Sequence, residues 1–387
     1  MSFSRLWNQP SIQAACSHLG GIAAETEQDT ITIQQIPAPT FSEKARAIYV
    51  RERLEALGVS DLMMDEAGNV TARLPGQQRG PGLLLTAHLD TVFSAETDLS
   101  VRRQGQRLYG PGIGDNSLAV AGLLTLAKQL RAQPLRRDIW LAANVGEEGL
   151  GNLNGMWTVV RRLEKQLGAV IVLEGGAYGT IIHRGIGVKR RQLIVETAGG
   201  HAWSDFGTPS AIHELCRLGG AIAALTVPEE PRTSFNLGVI EGGTSINTIA
   251  ARASALLDMR SEEPTALQRL EAQVDRLVAQ ARRSGVTVTS KSMGDRPAGG
   301  ISPTHPLVGA AVESLAWLEE PPPSLRAAST DANVPLALGL PAVCIGLTVG
   351  HNAHRLDEYV ELGPLKNGVQ HVYLVIVAAL EIIAGGG

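Results

Sequence analysis

The chain has 387 residues, with 34 Lys plus Arg against 38 Asp plus Glu, for a formal net charge of −4. That length allows two domains and a large core, and the near balance of charge gives no attraction for nucleic acid or an anionic membrane surface. Cys16, Cys216 and Cys344 are odd in number and scattered, which excludes a disulfide framework or a cysteine zinc site and points to a reducing, cytoplasmic compartment.

Taken from the N-terminus, residues 1–20 carry polar side chains where a signal peptide needs its apolar core. The periodicity of 42–57 predicts a helix stopped by Gly58. Strands are expected over 69–74 and 82–90. A helix with one apolar face follows over 117–130, and the continuous apolar run 138–145 reads as a central strand. Helix 157–167 and buried strand 169–173 complete an alternation that implies a mostly parallel sheet.

The pattern changes near residue 186. Strands are expected over 188–197, 233–240, 250–259 and 286–291, with helices over 209–225 and 265–284. Two helices with four strands that lack crossover spacing predict an antiparallel α+β layer. The first pattern then returns, with helix 305–317, strand 342–347 and helix 363–383. No apolar run is expected to span a membrane; the candidate 374–384 is short and contains Glu381. The expected organisation is a discontinuous domain, 1–186 and 296–387, interrupted by an inserted domain, 187–295. Glycines at both crossings, 185–187 and 299–300, would permit a hinge.

Five chemical motifs follow the apolar strands. His88-Leu89-Asp90 closes strand 82–90, placing an imidazole and a carboxylate at the edge where open α/β sheets build their sites. Alone it is equally a core pair. Gly110-Pro111-Gly112-Ile113-Gly114-Asp115 does not have dinucleotide-loop spacing. It places Asp115 at a helix start, as a metal bridge or a plain N-cap. Gly146-Glu147-Glu148-Gly149 puts two adjacent carboxylates at a strand end, which is costly without a cation or a proton. Glu174 ends strand 169–173, and His351-Asn352-Ala353-His354 follows strand 342–347. Oxygen and imidazole donors without thiolate suit zinc, cobalt or manganese.

Together these motifs resemble the zinc metallopeptidase family of tripeptidase T, carboxypeptidase G, acetylornithine deacetylase and succinyl-diaminopimelate desuccinylase, along essentially the whole chain. The resemblance implies an α/β, zinc-exopeptidase-like catalytic domain with an inserted α+β lid that mediates homodimerisation. It implies two divalent metal ions, zinc first and cobalt or manganese as alternatives, acting on small peptides or N-acylated amino acids. It makes His88, Asp115 and Glu174 ligands of one ion and Asp115, Glu148 and His354 ligands of the other. His354 is preferred to His351 because Glu358 follows it by four residues. Asp90 would orient His88 and Glu147 would be the general base. In the lid, His201 of Gly199-Gly200-His201 would hold the oxyanion in the partner's site, Asn247 would position substrate, and Arg260 would take a substrate carboxylate or form an ordinary ion pair. The segment Ser329-Thr330-Asp331-Ala332 matches a family segment near the substrate.

Glu174 is more typical of carboxypeptidase and deacylase members, whereas the lid helix and the spacing at 352–354 resemble tripeptidase T. Both specificities therefore stay open, alongside a non-catalytic binding homologue.

Overall fold

The computed structural model describes residues 3–385. The chain divides into two compact units, residues 1–185 with 300–387, and residues 186–299.

In the first unit the sheet is built around four parallel neighbours: Ile139–Asn144, Gly82–His88, Leu167–Glu174 and Ala342–Gly346. Their side chains alternate between two cores. Leu83, Leu85 and Ala87 join Ile139, Leu141, Ile171 and Val343 on one face, while Leu84 joins Trp140, Val170 and Val172 on the other. Burial on both faces is why these strands read as unbroken apolar runs. Antiparallel strands extend the sheet, with Val70–Leu74 on Ile139–Asn144 and Thr180–Gly185 on Ala342–Gly346. Helices Leu118–Arg131 and Leu365–Gly385 cover the first face; Asn154–Leu163 covers the second.

Two expectations change. Helix Leu118–Arg131 is buried almost all round rather than on one face, because the N-terminal helix Ala23–Gln34 and helix Lys44–Ala56 cover its outer side. No element is expected over 23–34 from the sequence pattern, and Ala23–Gln34 is a helix. The C-terminal helix Leu365–Gly385 has 21 residues and is long and apolar enough to cross a membrane by length and composition. It packs instead against Pro306–Trp317 and Pro10–Gly21, so burial in the protein accounts for its apolarity. Finally, the crossing glycines are closely packed: a Cβ on Gly185 would lie 2.7 Å from Asn333, and one on Gly187 2.9 Å from Leu267. Close approach is thus a reason for glycine there.

The second unit is an antiparallel sheet in the order Thr233–Gly242, Arg252–Ser261, Gly187–Thr197, Val286–Arg296. Helices Ala211–Ala223 and Pro264–Ala281 bury Leu215, Leu218, Leu270 and Val274 against its inner face. Strand Thr233–Gly242 forms one edge, with Ile240 exposed on it.

Candidate metal centre

The four parallel strands finish on one edge of the sheet, and the segments that follow them converge there. His88 ends its strand fully buried, its Nδ1 3.0 Å from the carbonyl oxygen of Asp90. A donated bond at Nδ1 leaves Nε2 as the free, metal-competent nitrogen. That nitrogen lies 3.2 Å from Oδ1 of Asp115 and 3.8 Å from Oε2 of Glu174. On the other side, Nε2 of His354 lies 3.0 Å from Oδ2 of Asp115 and 3.0 Å from Oε1 of Glu148. Asp115 therefore stands between two donor groups, one oxygen toward each. Donor atoms of His88, Asp115 and Glu148 fall within 4.8 Å of one another.

Surrounding hydrogen bonds hold these groups in place. Buried Asp90 accepts the backbone N–H groups of Glu147 at 3.0 Å and Glu148 at 2.8 Å, tying the end of one strand to the end of its neighbour. Asn116 donates to the carbonyl of Leu173 and accepts the N–H of Gly175, both at 2.9 Å. It thereby locks the Asp115 turn to the strand that carries Glu174. A side chain on Gly175 would strike the carbonyl oxygen of Gly114 at 2.3 Å, so only glycine lets that turn close. Asp115 makes no helix-capping bond; it lies within the turn Ile113–Ser117, which precedes helix Leu118–Arg131.

Electrostatics identify what the cluster demands. Burial pushes the Asp115 carboxyl up, but His354 and His88 outweigh it and hold the group well below the usual carboxylate range. Burial raises Glu174 to about 7, reinforced by Asp115 and Asp331. Asp115 and Glu148 draw a proton onto His354, raising it to about 10. Buried and half-buried carboxylates that pull protons onto facing imidazoles call for positive charge, and an oxygen–nitrogen donor set at this spacing suits divalent cations.

His351 does not join the cluster. It stacks on Tyr359 and its Nε2 lies 3.4 Å from Glu361. Buried Asp331 accepts from Asn144 at 2.6 Å, and Asn144 accepts from Thr86 at 2.6 Å, behind the strand ends.

In the second unit the short ladder Gly200–His201 with Thr248–Ile249 brings His201 beside Asn247, whose carbonyl accepts from Ala202 at 2.9 Å. His201 is exposed, and its Nδ1 accepts the N–H groups of Trp203 and Ser204, each at 3.3 Å. That assigns Nε2 as its donor. Arg260 bonds Asp258 at 2.7 Å, the ion-pair alternative. It pairs with Val188, whereas Arg252, at the His201 end, pairs with Glu196. Eight residues of strand put the two ends about 26 Å apart.

Sequence reading missed several supporting groups. Thr40-Phe41-Ser42-Glu43 has capping-box spacing, the one signal that marked them. Yet Glu43 reaches the N–H of Gly146 at 3.2 Å, and Thr40 donates to Asp90 at 3.0 Å. Arg46, buried, donates to the carbonyls of Leu89 at 2.8 Å and Ile36 at 2.7 Å.

Residues 84–378 match the model of peptidase family M20/M25/M40. A Mycobacterium tuberculosis protein assigned as a succinyl-diaminopimelate desuccinylase is 28% identical over 353 residues, covering 88% of this chain and 94% of that protein. The solved structure of an aminopeptidase T from Bacillus cereus superposes with a TM-score of 0.77 at 19% identity, covering 92% of this chain and 98% of that one. A dinuclear metal-binding peptidase from Bacillus subtilis superposes with a TM-score of 0.69 at 17% identity, over 93% and 99%.

Proposed function

The chain belongs to peptidase family M20/M25/M40 and is a metal-dependent peptidase or amidohydrolase, and on that premise we propose that it cleaves amide bonds of small peptides or N-acylated amino acids. The observation that carries this reading is Asp115, with one oxygen toward His88 and the other toward His354. His88, Asp115 and Glu174 would hold one divalent ion; Asp115, Glu148 and His354 would hold the second. Zinc fits these donors first, with cobalt and manganese next. The ions would polarise the scissile carbonyl and acidify the attacking water.

The remaining work falls to side chains. Glu147, next to ligand Glu148 and anchored through its N–H on Asp90, takes the water proton and delivers it to the leaving nitrogen. Asp90 fixes the imidazole through its backbone carbonyl, which takes the Nδ1–H of His88 at 3.0 Å; burial pushes its carboxyl up, but His88 and the N–H groups of Glu148 and Glu147 together hold it below the usual range. His201 offers Nε2–H to the developing oxyanion, with Asn247 beside it positioning substrate. Arg260 would meet a substrate carboxylate. Because it lies about 26 Å along the sheet from the His201 end, one lid would not bring both to a single small substrate. That separation favours His201 acting in a partner's site, and the exposed edge strand Thr233–Gly242 offers the pairing surface for a homodimer. The three cysteines are free, consistent with a cytoplasmic enzyme.

Metal analysis combined with turnover on a mixed panel of dipeptides and N-acyl amino acids tests this reading. Hydrolysis that disappears with a chelator and returns with zinc, cobalt or manganese is expected. A fully metal-loaded protein that hydrolyses nothing on the panel would favour the non-catalytic homologue. Preference within the panel separates the deacylase and carboxypeptidase reading, which Glu174 favours, from the tripeptidase reading.

A further inference from the structure

Residues Pro39 to Ser42 form a tight turn, closed by the N–H of Ser42 on the carbonyl of Pro39 at 2.7 Å. Its third residue, Phe41, has φ +74°. This is the position of a type II turn that takes glycine or asparagine, because a side chain with bulk crowds the backbone there. Phe41 is also 72% exposed. Leu153 has a comparable φ of +60° but is fully buried, so core packing compensates its strain. Burial offers Phe41 no such compensation.

The turn is held firmly beside the metal centre. Thr40 donates through Oγ1 to Oδ2 of Asp90, the oxygen that also accepts the N–H of Glu148. Thr91 donates its N–H to the carbonyl of Ala38 at 2.9 Å. The N–H of Phe41 itself bonds Oε1 of Glu43 at 3.0 Å, and that oxygen also accepts from Gly146 at 3.2 Å. Phe41 is thus one residue, about 3.8 Å of chain, from a side chain bonded to the carboxylate that fixes Glu148. A strained, exposed aromatic on a rigid support at a functional edge implies a use.

We infer that Phe41 is a specificity-determining residue, an apolar wall at the mouth of the metal centre that favours substrates with a large apolar group beside the scissile amide. The inference rests on the amide-hydrolase reading above. It follows from the general form of such sites, in which apolar walls select side chains and a few polar groups orient the reacting bond. Contact with one hydrophobic group discriminates by roughly 10- to 200-fold.

The test compares wild type, Phe41→Gly and Phe41→Tyr on two matched series: N-acetyl amino acids with side chains from hydrogen to benzyl, and X-Gly dipeptides with the same range at X. Phe41→Gly relieves the backbone strain, so its Tm should equal or exceed that of wild type. In one series its kcat/KM ratio of benzyl to hydrogen substrate should fall at least about tenfold, mostly through KM, as expected for one lost apolar contact. Phe41→Tyr, which keeps the ring, should keep the ratio within about threefold, under 1 kcal/mol by the same arithmetic. An unchanged ratio in both series would overturn the inference, as would a uniform fall across all substrates. A fall in Tm or a change in oligomeric state without a change in ratio would also overturn it, since Phe41 would then serve folding or assembly. Absence of turnover by metal-loaded wild type would defeat the hydrolase reading instead, which separates the two failures.

Discussion

The carboxylate of Glu358 receives the backbone N–H of Asp115 at 2.9 Å. The same carboxylate accepts the N–H groups of Gly112 and Gly114 at 2.9 and 2.8 Å. A buried glutamate four residues beyond His354 therefore shapes the turn that presents Asp115. Burial raises Glu358 to about 7, reinforced by the nearby Asp115 and against the pull of those N–H groups. We expect Glu358→Gln to fold and yet to bind metal about 10–100-fold more weakly, as for other groups that orient ligands from behind. Titration with zinc under a competing chelator measures this. Unchanged affinity would remove Glu358 from the metal support.

The adjacent carboxylates should separate in function. Glu147→Gln is expected to retain both ions and lose activity by ~10² or more, the usual contribution of general base catalysis. Glu148→Gln should lose metal first, with activity partly recovered at high zinc. Near-wild-type kcat for Glu147→Gln at saturating metal would reassign the base.

Stoichiometry probes the bridging position. We expect two ions per chain, roughly 3.5–4 Å apart, by elemental analysis and anomalous scattering. His354→Ala should lose one ion, whereas Asp115→Ala should weaken both. A single ion at full loading, with Asp115 turned away, would contradict the arrangement.

Subunit complementation tests the placement of His201. Equimolar Glu147→Gln and His201→Ala proteins, each nearly inactive, should recover roughly a quarter of wild-type activity after subunit exchange, since half the dimers of a two-fold assembly are mixed and one site in each is complete. A monomeric mass in light scattering, or no recovery despite exchange, would assign His201 a role within its own chain or none.

A pH effect should arise at His371, outside the candidate ligand set. His371, buried beside Ser314 at 2.8 Å, is pushed down by its burial from 6.5 to about 3. A depressed histidine contributes its full stability above 6.5 and loses it as pH falls toward 3. With metal chelated in both proteins, wild type should therefore lose stability faster than His371→Gln between pH 6.5 and 4, by up to about 1.4 kcal/mol per pH unit. Parallel urea-midpoint profiles for the two proteins would show that His371 does not titrate in this window.

Much of this molecule is legible in one dimension. The parallel strands Gly82–His88, Ile139–Asn144, Leu167–Glu174 and Ala342–Gly346 are buried on both faces, so each appears as an apolar run with its polar chemistry concentrated at the end. The candidate ligands stand at or just beyond those ends, where strand-end position marks His88, the pair Glu147-Glu148 and Glu174 as candidates and the family resemblance assigns their roles. The amphipathic helices Ala211–Ala223 and Pro264–Ala281 are equally readable, because each buries one face on a sheet. Tertiary structure decides what local pattern leaves degenerate. His351 and His354 are both imidazoles three residues apart, told apart in the sequence only by the resemblance that pairs His354 with Glu358, whereas the fold itself sends one to Tyr359 and the other to Asp115 and Glu148. Glu43 has the spacing of a helix cap but turns to Gly146, and Arg46 lies within a helix yet spends its donors on Leu89 and Ile36. Such choices depend on which distant backbone group comes within 3 Å after the chain has packed. A hydrogen bond of that kind leaves no period in the sequence, whereas burial of a whole face does.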